Sequence, residues 1–81
     1  MKPKVTYFFS KGCHNCKLLA PIINELKTPL NINLVDTYQD SILTEEHRIM
    51  WIPTLVIEDE NGKHKFEGPE EIKNVIKKLV L

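Results

Sequence analysis

Cysteine is nearly absent from this chain: only Cys13 and Cys16 occur among 81 residues. Two cysteines are too few for the disulfide framework of a small secreted scaffold, and a separation of three residues points to chemistry rather than stapling. Net charge is also lacking. Eleven Lys and Arg residues balance eleven Asp and Glu residues, which leaves no overall electrostatic footprint for nucleic acid or anionic lipid. The apolar run from Val5 to Phe9 follows Lys2 and Lys4, but it is shorter than a secretory hydrophobic region and leads straight into Ser10-Lys11-Gly12. No nucleic acid, no membrane association and a cytoplasmic location are therefore expected. With 42% apolar and 27% charged residues, the composition is that of a globular protein, not a disordered or membrane-spanning one. The length suits one domain over residues 1–81, since a second core would have little chain left to build it. A monomer is the expectation.

Periodicity divides the chain into seven elements. Lys4 to Phe9 is short, β-branched and aromatic, and predicts a buried strand. From Cys13 the positions Leu18, Leu19, Ile22, Ile23 and Leu26 recur at helical spacing, predicting a helix to about Lys27 with one buried stripe. Pro21 lies inside it, where it cannot donate to the Lys17 carbonyl and should bend the axis. Ile32, Leu34 and Val35 predict a second strand, parallel to the first because a helix intervenes. Asp40 or Ser41 can cap a second helix carrying Ile42, Leu43, Ile49 and Met50, closed off by Pro53. Thr54 to Ile57 and His64 to Phe66 predict a hairpin with Asn61-Gly62 in the turn. Pro69, Glu70 and Glu71 open a last helix, in which Ile72, Val75, Ile76, Leu79 and Val80 share one face. The order β-α-β-α-β-β-α predicts a three-layer α/β fold with a mixed four-stranded sheet.

Cys13 falls at the first strand-to-helix junction, in the sequence Cys13-His14-Asn15-Cys16. Unpaired N–H groups and the helix dipole favour negative charge there, which suits a nucleophilic thiolate. Three-residue spacing on a helix brings the second sulfur beside the first, so Cys16 can displace a substrate held on Cys13 in a mixed disulfide. A protonated His14 would favour the thiolate further. Two other readings stand beside this one. The pair could be half of a zinc site, although there is no second C-x-x-C and His47 and His64 lack the spacing of a Cys2His2 motif. It could also be two inert cysteines, although they sit at a strand end rather than in an apolar stripe.

The residues resemble the thioredoxin and glutaredoxin superfamily over almost the whole chain. The segment from Cys13 to Ile23 is similar to the thioredoxin active-site helix, including the lysine after the second cysteine and the Ala20-Pro21 pair. Trp51-Ile52-Pro53-Thr54-Leu55 resembles the family's Ile-Pro-Thr loop. The resemblance implies a thioredoxin fold and thiol–disulfide exchange, with Cys13 as nucleophile and Cys16 as resolving thiol. It also implies that Pro53 is cis and lies against the cysteines, and that Ile52, Pro53, Thr54 and His14 contact substrate. Partners would be disulfide-containing proteins, and a thioredoxin reductase-like enzyme or a low-molecular-weight thiol would supply electrons. Two sulfurs carry the two electrons, so neither an organic cofactor nor a resident metal is expected. The alternative is a non-catalytic module of the same fold that binds a metal or a partner protein.

Some positions depart from the family. His14-Asn15 stands where thioredoxins have Gly-Pro and glutaredoxins Pro-Tyr, which leaves substrate preference and potential open. Tyr7 stands six residues before the first cysteine, where thioredoxins resemble one another in a buried aspartate, and Gly12 replaces the usual tryptophan. Gly68-Pro69-Glu70-Glu71 stands where glutaredoxins hold glutathione. Pro69 has no N–H to offer, and the two carboxylates would repel glutathione's own. His47 and His64 read as surface residues, and Glu58-Asp59-Glu60 reads as a solvated turn.

Overall fold

A computed structural model describes residues 3–80. The elements follow in the expected order: β1 (Lys4–Phe9), α1 (His14–Leu26), β2 (Ile32–Asp36), α2 (Ser41–Glu46), β3 (Thr54–Asp59), β4 (Gly62–Glu67) and α3 (Pro69–Val80). The four strands form one mixed sheet in the order β2-β1-β3-β4. β1 and β2 run parallel, with Val5 opposite Ile32 and Phe9 opposite Asp36. β1 and β3 are antiparallel, with Tyr7 opposite Leu55, and β3 and β4 form the antiparallel hairpin.

Alternation along β1 sends its side chains to opposite sides of the sheet. Val5 and Tyr7 join Leu55 and Ile57 of β3 under Leu19 and Ile23 of α1 and Ile72 and Ile76 of α3. Phe8 faces the other way and packs with Val35 and Val56 beneath Leu43 of α2 and Ile49. Helices therefore cover both faces, and burying each Leu or Ile side chain contributes roughly 1.5–3 kcal/mol. The ends of α3 carry complementary charges, Glu70 and Glu71 in the first turn and Lys77 and Lys78 in the last.

Four expectations need correction. α2 ends at Glu46, so Ile49 and Met50 lie beyond it; Ile42 and Met50 are exposed. What holds this short helix is polar: Asp40 caps it by accepting from the Leu43 N–H at 3.0 Å, and Arg48 reverses the chain with φ of 52°. Leu18 is 51% exposed and lies outside the buried stripe of α1, and Val80 is likewise exposed on α3. The hairpin strands extend further than expected. Asp59 pairs with Gly62, so the loop is Glu60-Asn61, and Gly62 enters β4 at φ of 123°, a conformation that a side chain would resist.

The fourth correction concerns His47, which is not on the surface but only 8% exposed. Its ring packs at a tilt on Phe8, with centroids 5.2 Å apart. Nδ1 lies 3.1 Å from the Leu43 carbonyl oxygen, and Nε2 lies 3.3 Å from Glu58 Oε1. His47 thus pins the end of α2 to β3. Glu58 is accordingly a strand residue with a partner rather than part of a solvated turn, whereas His64 is exposed and lies 3.6 Å from Asp59.

Candidate active site

β1 delivers the chain to Ser10-Lys11-Gly12, and the following turn is closed by the Cys13 N–H donating to the Ser10 carbonyl at 3.2 Å. Cys13 then caps α1 in an extended conformation (φ −82°, ψ 118°), and its Sγ accepts a hydrogen bond from the Cys16 N–H at 3.2 Å. A sulfur in this place takes the role that Ser or Asp usually plays at a helix start, satisfying one of the first unpaired N–H groups. Both cysteines are free thiols. Their settings differ: Cys13 is half-buried, and Cys16, one turn on, is 5% exposed on the core side of α1. Burial, together with a hydrogen bond to Cys13, pushes the Cys16 thiol up to about 11, against a lowering contribution from a Ser10 backbone contact.

A pocket of about 490 Å³ opens beside Cys13, lined among others by Lys11, Gly12, Asp36, Tyr38 and Ile52. Ile52 precedes a cis peptide bond to Pro53, as the resemblance implied. The loop is fastened from two sides. Thr54 Oγ1 donates to the Trp51 carbonyl, and the Pro53 carbonyl accepts from the Gly68 N–H at 3.0 Å. Gly68 makes that bond at φ of 89°, open to glycine and strained for other residues. Pro53 and Thr54 are buried, Ile52 is half-buried, and Trp51 stands 67% exposed beside them. His14 is exposed at the start of α1.

The geometry thus brings Cys13, Cys16 and Ile52 to one end of the sheet, while His47 and His64 lie elsewhere and line no pocket with the cysteines. Sequence reasoning did not single out Asp36, the last residue of β2, and Tyr38, in the loop that follows, which both line the Cys13 pocket. A signal existed: β2 runs parallel to β1, so the loop after each strand emerges at the same edge, where ligands of open α/β sheets gather. Among the described residues, no group of three or more His, Cys, Asp or Glu is gathered as a metal would need.

A sheet in the order β2-β1-β3-β4, covered on both faces and carrying a Cys-x-x-Cys pair at its first strand-to-helix junction, is the thioredoxin fold. Among models of known families, the Thioredoxin family matches residues 1–80, and the chain belongs to that family. It is 25% identical to a thioredoxin-like protein of Synechocystis, over 96% of this chain and 79% of that one. The thioredoxin of Plasmodium falciparum superposes with a TM-score of 0.75 at 26% identity, covering 99% of this chain and 83% of that chain. Schistosoma mansoni thioredoxin gives 0.77 at 26%, covering 95% and 78%. Family and fold support a thiol–disulfide oxidoreductase-like role and redox partners in general.

Proposed function

We propose that this chain, acting as one domain, is a dithiol protein-disulfide oxidoreductase. The observation that carries the reading is the pairing of a half-buried Cys13 sulfur at the helix start with a buried Cys16 one turn behind, whose N–H donates to that sulfur. Cys13 attacks a substrate disulfide, forming a mixed disulfide and releasing the first thiolate. Cys16 then loses its proton and attacks Cys13 Sγ, closing the intramolecular disulfide and releasing the second thiolate. Substrate dithiol is produced as the enzyme dithiol is oxidised, so two electrons move and no cofactor is needed. Ile52, Pro53 and Thr54 form the wall of the substrate groove, with His14 at its rim. Disulfide-containing proteins are the substrates, and a thioredoxin reductase-like enzyme or a low-molecular-weight thiol restores the dithiol. The setting is the cytoplasm, where thiols are kept reduced, and the chain acts as a monomer.

The test is equilibration of metal-free protein across defined thiol–disulfide buffers, with alkylation and intact mass counting free thiols. Both thiols should disappear together in one reversible two-electron transition, between about −270 mV and about −120 mV, the span of thioredoxin-fold reductants and oxidants. Failure to form the intramolecular disulfide, or protection of the thiols only by added zinc, would replace this reading with a metal-binding module.

A further inference from the structure

Tyr7 is the one polar side chain that β1 turns toward α1 and α3. Its phenol is 3% exposed, and its ring is held by stacking on Phe9, with centroids 5.9 Å apart and planes within 10°. Among the described residues, its hydroxyl is the sole buried side-chain oxygen or nitrogen without a hydrogen-bond partner. Leaving such a group unpaired costs on the order of 1–3 kcal/mol, and a phenylalanine would fill the same space without that penalty. The hydroxyl also has a neighbour able to use it. Tyr7 and Cys16 line the same small pocket of about 180 Å³ between α1 and the sheet, together with Phe9, Ala20 and Leu34.

A neutral thiol is a poor acceptor for this hydroxyl. A thiolate is a strong one. We infer that Tyr7 is a positioning residue for the resolving step: its hydroxyl donates a hydrogen bond to Cys16 at the moment Cys16 becomes a thiolate. The inference rests on the dithiol reading above. Tyr7 keeps its own proton throughout. Burial first, and the charge of both sulfurs second, raise the phenol well above its ordinary range, so it serves as a donor and not as a base. The Cys16 proton therefore leaves to water, and the electron pair it leaves on sulfur forms the new bond to Cys13 Sγ as the second substrate thiolate departs. In this arrangement the hydrogen bond reaches Cys16 and not Cys13.

Ellman's reagent, an aromatic disulfide, separates the two steps when it is limiting. The first coloured thiolate reports attack by Cys13, and the second reports displacement by Cys16. Tyr7→Phe should leave the first phase unchanged and slow the second about tenfold or more, the loss of one hydrogen bond to a charged group. The pH profile of the second phase should move to higher pH. The melting temperature should stay the same or rise, because only an unpaired oxygen is removed; a structural role would lower it. A second phase with unchanged rate and pH profile in Tyr7→Phe overturns the inference. If wild-type protein never releases the second equivalent, the dithiol reading itself fails, and the inference with it. A measurement independent of the variant is the carbon resonance bearing the Tyr7 hydroxyl: it should shift as Cys16 titrates in reduced wild type, and a flat response would count against the contact.

Discussion

The two faces of the sheet are built on different principles. On one, α1 and α3 lay periodic apolar side chains over Val5, Tyr7, Leu55 and Ile57. On the other, a six-residue helix with no buried residue of its own covers only Phe8, Val35 and Val56. The second face compensates with directed polar contacts: the Asp40 cap, the Thr44 hydroxyl donating to the Asp40 carbonyl, and the His47 ring held between the Leu43 carbonyl and Glu58. The thick face buries Cys16 beneath α1, whereas Tyr38, in the loop that leads from β2 to the thin face's α2, lines the open pocket beside Cys13. Burial and access are thus divided between the two sides of one sheet.

The contrast is sharpest where the cores are truncated. Leu19→Ala on the thick face, at a fully buried position, should cost about 2–5 kcal/mol in urea unfolding, enough to threaten a domain of this size. A loss below about 1 kcal/mol would mean that the thick face does not carry the fold. On the thin face, His47→Ala removes two polar contacts and the packing on Phe8, and should cost about 1–3 kcal/mol. An unaltered midpoint there would show that α2 is held without its histidine. Asp40→Ala removes a cap worth about 1 kcal/mol, and Asp40→Asn should recover most of that loss in the same titration.

A further effect is absent at neutral pH. The Cys16 thiol is raised from 9.0 to about 11 in the folded protein, so above pH 9 the unfolded chain releases this proton first. Its contribution is complete below the unfolded value and is lost as pH rises through the folded one. Reduced protein should therefore lose stability relative to oxidised protein between about pH 9 and 11. Parallel stability curves for the two forms across that window would contradict the burial of Cys16 on the thick face.

The same division decides what could be read in advance. The bounds of β1 and the start of α1 follow from an apolar run broken by Ser10-Lys11-Gly12, and α3 follows from Pro69 and a regular apolar stripe. These elements owe their form to burial, which leaves a period in the sequence. α2 owes its form to hydrogen bonds, so Ile42 and Met50 suggested a stripe that is in fact solvent-facing. His47 was misplaced for the same reason. Its neighbours Glu46 and Arg48 are exposed, and nothing local announces a ring turned onto Phe8. At the site, the place of the Cys-x-x-Cys pair at a strand-to-helix junction was legible from the apolar run and its break, whereas the cis bond before Pro53 was expected only from the family resemblance. Tyr38 was not legible, since its place beside Cys13 depends on strand pairing. Tyr7 was legible as a departure, but its unpartnered hydroxyl depends on three-dimensional packing.

The bond from the Gly68 N–H to the Pro53 carbonyl ties the loop between α2 and β3 to the threshold of α3. That bond must wait, during synthesis, for Gly68 to be made. The ribosome releases Cys13 and Cys16 well before Gly68, and Ile72 and Ile76, which close the thick face, come later still. A nascent chain therefore carries its thiols before the loop of Pro53 can be fastened to Gly68.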